Sequence, residues 1–193
     1  MRHALRQLRH NQWIYLVHTL SLLAPGYELP VVAADQIKPK DVSQWRDEEL
    51  KLLIEEGRRQ SDRQQADLRD IRGRAQWLFT VAAAAVGALG AGLASGHPDT
   101  PQAILWLAGL VLLVHGVGGA ASVMVSRADF KTIHTAVLSA AQRPIDRSLA
   151  QAYARMMAEG ENTVATRLTV FRQAVLFCLL GGYLGLIAAL LPT

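Results

Sequence analysis

His115 is the residue from which any chemistry would start. It stands near the middle of a long apolar run, Ile104 to Val125 (ILWLAGLVLLVHGVGGAASVMV), and, Cys178 and Tyr183 aside, is the one ionisable side chain deep in such a run. Gly119, Ser122 and Ser126 follow it at three- and four-residue steps, so on a helix the four share one face. An ionisable group in hydrocarbon is costly and must face protein or water. Two roles are open. The four positions line or gate a pore, with His115 titrating near ~6.5 if hydrated. Alternatively, a neutral His115 makes one interhelical hydrogen bond, with Tyr183 a candidate partner.

The remaining residue pattern excludes more than it offers. The single cysteine, Cys178, lies inside an apolar run and cannot form an internal disulfide or a Cys-based zinc site. It reads as a small core residue. No Walker phosphate loop, HExxH metal motif or GxSxG elbow occurs. The glycines of Gly87-Ala88-Leu89-Gly90-Ala91-Gly92 lie inside an apolar run rather than after a strand. No run holds paired acids, which argues against ion-coupled transport. We therefore expect no catalytic residue, metal, cofactor or enzymatic activity.

The elements that position His115 are membrane spans. Trp77 to Ser95, Ile104 to Val125 and Ala174 to Leu191 are free of Asp, Glu, Lys and Arg. Each approaches the ~20 residues a helix needs to cross a ~30 Å hydrocarbon layer. Gly96-His97-Pro98-Asp99-Thr100-Pro101 turns the first two into a hairpin. Basic residues flanking spans stay cytoplasmic. With the hairpin turn and C-terminus outside, all 20 Lys and Arg fall inside, so the topology is N-in, C-out. Trp77 and Trp106 then fall at opposite interfaces. This distribution accounts for the net charge of +4 without a nucleic-acid partner.

The flanking segments read as helices. From Val42 to Gln76 there is no proline, and Leu50, Ile54, Gly57, Ser61, Gln64, Leu68, Ile71, Ala75 and Leu78 form a helix-packing stripe that runs into the first span. Phe130, Ile133, Val137 and Ala141 continue the second span inward, until Arg143-Pro144 breaks the chain. A return helix shows Ile145, Leu149, Ala152 and Met156, with a kink expected at Gly160. At the N-terminus, Trp13 to Ala24 is too short to span. Val32-Ala33-Ala34 resembles a signal-peptidase site, but cleavage there would export ten basic residues. An amphipathic helix on the inner surface, or packed against the cytoplasmic helices, fits better.

The expected fold is an all-α membrane protein with three transmembrane helices continuing into a long cytoplasmic helical bundle. Its segments are residues 1–34 (amphipathic or interfacial), 35–76 (cytoplasmic helix), 77–125 (two-span hairpin), 126–173 (cytoplasmic helical hairpin) and 174–193 (third span). Small residues recur every four positions at Ala83, Gly87, Ala91 and Ser95, and at Gly181, Gly185 and Ala189. Such ridges let helices approach closely in lipid, within or between chains, and a homo-oligomer is expected.

Three local features carry a resemblance: Arg69-Asp70-Ile71-Arg72-Gly73-Arg74-Ala75 leading into the first span, the His97–Pro101 turn, and Ser126-Arg127-Ala128-Asp129 after the second. Over roughly Val42 to Arg172 the chain is similar to the SLATT superfamily and to the membrane effectors of bacterial nucleotide-signalled antiphage systems. The third span and residues 1–34 depart from the simplest two-span pattern. The resemblance implies an oligomer of the cell inner membrane that permeabilises or perturbs the bilayer when activated by a cytoplasmic protein or nucleotide-signalling partner. The alternative expectation is a passive anchor or scaffold that recruits a cytoplasmic complex.

Overall fold

The computed structural model describes residues 2–23, 29–32, 42, 44–95, 99–126 and 145–191. Their helices are α1 (Arg2–Leu20), α2 (Asp47–Ser95), α3 (Thr100–Val125) and α4 (Ile145–Leu190). These residues are 91% helical and include no strand. Helices α2, α3 and α4 are each long and apolar enough to cross a membrane. The protein is an all-α, membrane-embedded chain.

The helix ends follow local chemistry. Asp47, Glu48 and Glu49 occupy the first turn of α2, where the helix dipole favours acids. The Glu49 carboxylate accepts the Arg46 backbone N–H at 2.8 Å, the reciprocal half of a capping box. α2 therefore starts at Asp47, later than the expected Val42, because Val42 serves the core instead. It is buried with Leu50 and Ala150, and Trp45, Leu53 and Ile54 pack on them. In α3, a proline stands in the first turn, where its missing N–H costs nothing. Asp146 takes the first turn of α4.

One expectation is corrected at the other end of α3. The second span was expected to continue as helix toward Gln142, but Ser126 leaves helical geometry at φ −62°, ψ 127°. The carbonyls freed there are taken by Arg167, as described below. Phe130, Ile133, Val137, Ala141 and the Arg143-Pro144 break lie outside the described residues, as do residues 96–98 of the expected turn. The chain passes through Gly160 as uninterrupted helix.

The chain divides into two compact units: Met1–Pro30, Ile71–Ser126 and Arg167–Thr193 form a span unit, and Val31–Asp70 with Arg127–Thr166 form a charged unit. α1 thus belongs with the spans. In the charged unit, the predicted stripe is the buried face of α2: Leu50, Gly57, Gln64 and Leu68 are buried. The Gln64 amide donates to the Met157 carbonyl at 3.1 Å, and Gln60 donates to Glu161 at 2.7 Å. The facing stripe of α4 is Ala150, Tyr153, Met157 and Gly160, one residue on from the predicted set. The reason is steric: Gly57 receives Tyr153 and Met157, and Gly160 leaves room for the Gln64 side chain.

In the span unit, α3 and α4 cross on glycine. A Cβ at Gly181 would lie 2.7 Å from the Gly109 carbonyl oxygen, and one at Gly109 would lie 3.1 Å from the Gly185 nitrogen. Gly116 meets Ala174 and Cys178 in the same way. Such backbone approach substitutes dispersion contact for the missing hydrophobic drive between helices in lipid. α2 joins through Leu89 on Gly185, and through Trp106 of α3 on Gly92.

Candidate functional site: the His115 face of α3

The face predicted from His115 to Ser126 exists, and α1 packs on it. Tyr15 of α1 is fully buried, and its hydroxyl donates to the His115 carbonyl at 2.6 Å. The Tyr15 and His115 rings are 5.4 Å apart. Phe177 of α4 completes the group, 5.1 Å from each ring and edge-on to His115. Gly119 makes the insertion possible: a Cβ there would fall 2.7 Å from the Tyr15 ring carbon Cζ. Gly118 similarly faces the Thr19 methyl at 2.9 Å. Of α3's glycines, Gly109 and Gly116 therefore serve α4, while Gly118 and Gly119 serve α1.

The hydroxyls on this face are turned to main chain. Ser122 is buried and donates to the Gly119 carbonyl at 2.8 Å. Ser126 donates to the Ser122 carbonyl and receives the Arg167 guanidinium. His115 is half-buried beside Tyr15 and Phe177, whereas its candidate partner Tyr183 is largely exposed. Within one chain, His115, Gly119 and Ser126 thus stand in contact with α1 or α4, and Ser122 is buried with its hydroxyl bonded inside α3.

Arg167 closes the α3 end of the site. It is buried, and donates to the Val123 and Ser126 carbonyls, each at 2.8 Å. A cation at a helix C-terminus satisfies orphan carbonyls and opposes the negative end of the dipole. His18 of α1 is also buried, with Nε2 3.2 Å from the Pro30 carbonyl. Burial pushes the imidazole below its ordinary range; the Pro30 bond opposes this, and the Arg167 charge adds to it. His18 is therefore held neutral, with Nε2–H as donor. Gln12 donates to Gln173 at 3.0 Å, tying α1 to α4. Near the start of α3, Gln102 is buried and donates to the Ala188 carbonyl at 2.9 Å.

The predicted packing ridges divide. Gly181 and Gly185 are buried in the helix crossing. Ala83, Gly87 and Ala91 of α2, and Ala189 of α4, lie on exposed faces. Among the described residues of α2's span, Ala82 is the buried position, and Ala75 is buried just before it. Sequence reading missed Tyr15 and Arg167. The signal for Tyr15 was the paired Gly118-Gly119, which admits a bulky neighbour; for Arg167 it was an arginine only seven residues before an apolar run. No family model matches the chain, and no curated protein or solved structure is similar enough to match it.

Proposed function

We propose that the protein is a self-associating membrane effector that permeabilises or disrupts the bilayer when its charged helices are engaged. The observation that carries this reading is the covered face of α3. A span whose one ionisable residue is shielded by a separate, short helix has the parts of a closed state. Moving α1 off Gly118 and Gly119 uncovers His115 and Ser122, while α2 and α4 each run unbroken from a charged half to an apolar half. The largely exposed apolar stretch of α2 supports assembly of several copies. The resemblance to SLATT-type and antiphage effectors supports the same class, with a cytoplasmic protein or nucleotide signal as trigger. The distribution of all 20 basic residues supports placement in the cell inner membrane, with N-terminus and charged helices cytoplasmic and C-terminus outside.

The test is dye leakage from liposomes. Gly119→Leu, which expels Tyr15, leaks where wild type is tight. His115→Leu added to Gly119→Leu reduces that leak, because an apolar path dewets. Tight vesicles for every variant, together with unchanged membrane potential on induced expression, would instead favour a passive anchor that recruits a cytoplasmic complex.

A further inference from the structure

The span unit carries a lateral groove of about 660 Å3 between α2 and α4, floored by Leu113 of α3. On α2 it runs from Arg74 to Ala85 and on α4 from Phe171 to Gly182. Each wall is about 16 Å of helix, about half of a ~30 Å hydrocarbon layer. The groove is therefore one leaflet deep. A groove of that depth matches the acyl chains of a single leaflet, whereas a spanning helix would run about twice its length.

The charge is placed at one end. Arg74 is the one charged residue among the described lining, and it stands a turn outside Trp77, which is 69% exposed. Exposed Trp favours the headgroup boundary, so Arg74 lies at phosphate depth. A guanidinium presents a fork of donors that matches a phosphate, and a lipid with net negative charge gains most from it.

We propose that this groove binds an anionic phospholipid, with its acyl chains between α2 and α4 and its phosphate on Arg74. The site does not rest on the effector reading, since an anchor can carry it equally.

The experiment is native mass spectrometry of the full chain in detergent, with added dioleoyl phosphatidylglycerol or dioleoyl phosphatidylcholine. Wild type binds phosphatidylglycerol about tenfold better, because the choline cation of the other lipid offsets the phosphate charge that faces Arg74. Arg74→Ala levels that preference while still binding lipid. Gly182→Leu loses both lipids: a Cβ at Gly182 meets nothing within 4 Å, so the side chain enters the groove without displacing a neighbour. Gly87→Leu, at a glycine with equally open surroundings outside the groove, binds as wild type. A second readout covers the case in which Gly182→Leu fails to fold. Brominated phosphatidylglycerol in liposomes quenches Trp77, taken as the difference between wild type and Trp77→Phe, more than brominated phosphatidylcholine does. Equal binding of both lipids by wild type, lipid retention by a folded Gly182→Leu, or a dimer that Gly182→Leu splits would overturn the proposal. The last outcome would assign the groove to a second copy of the chain.

Discussion

The phenolic hydroxyl of Tyr15 donates to the main-chain carbonyl of His115 at 2.6 Å, across 100 residues of sequence. That carbonyl belongs to the ladder of α3, so the bond fixes a helix that is too polar to span against one apolar enough to do so. Little competing water is present at such a crossing, yet interhelical hydrogen bonds in membranes average only ~0.6 kcal/mol. Packing of the ring on Gly119 is therefore the larger contribution.

Cysteines replacing Gln12 and Gln173, in a Cys178→Ala background, should be joined by a short bifunctional thiol reagent, because the longer amide side chains they replace meet at 3.0 Å. Adding Tyr15→Phe should leave the cross-link intact, at a cost of about 1 kcal/mol or less. Adding Gly119→Leu should abolish it. Efficient cross-linking in the Gly119→Leu chain would show that α1 does not depend on this crossing.

Arg167→Ala should destabilise the span unit by about 2–4 kcal/mol, since it strips donors from the Val123 and Ser126 carbonyls. Arg167→Lys should recover part of this, because an ammonium cannot reproduce the fork. Thermal unfolding in detergent gives the size. Hydrogen exchange gives the place, with faster exchange expected over residues 120–126 and not near Gln102.

His18 sets a pH dependence outside the three spans. Its folded pKa lies below the unfolded value near ~6.5, so the unfolded chain binds the proton more readily. The stabilisation is complete above ~6.5 and is lost as pH falls from there toward the folded pKa. His18→Gln should flatten the melting temperature over that window while the wild type declines. A wild-type decline that persists in His18→Gln would assign the effect to another group.

Gly185→Leu should destabilise the chain itself, because the new side chain collides with Leu89 and with the Gly109 crossing. Gly87→Leu should leave the melt of one chain unchanged, as a Cβ there meets nothing within 4 Å. If copies associate through the exposed Ala83, Gly87 and Ala91 face, Gly87→Leu lowers the mass seen by light scattering at constant stability. Equal melts for Gly185→Leu and wild type would contradict the crossing described here.

For topology, single cysteines at Asp99 and Arg147, both exposed and both in the Cys178→Ala background, are decisive. Impermeant thiol reagents added to whole cells should label Asp99→Cys and spare Arg147→Cys. The opposite pattern would invert the arrangement.

The spans and the charged-unit stripe were legible because they rest on periodicity. Leu50, Gly57, Gln64, Leu68, Ile71 and Ala75 are read at helical spacing and are buried. The phase of α4 was misread by one residue, since apolar content pointed to Leu149 and Met156. Space left by Gly57 decided for Tyr153 and Met157 instead. At the His115 face, the set of positions was readable but its occupant was not. Tyr15 lies 100 residues upstream, and no local pattern announces a contact of that range. The end of α3 was misplaced for a similar reason. Helix propensity favours continuation past Ser126, and the donor that makes stopping cheap lies 41 residues later.

The partners of α3 also impose an order on synthesis. α1 leaves the ribosome first, yet the carbonyl that receives Tyr15 is made 100 residues later. At ~5–20 residues per second, that leaves α1 without its seat for about 5–20 s. α3 in turn cannot be capped until Arg167 emerges, 44 residues after Val123. The newly made α1 must therefore wait outside an unfinished bundle, and its own arginines, Arg6 and Arg9, give it a charged face on which to wait at the lipid surface.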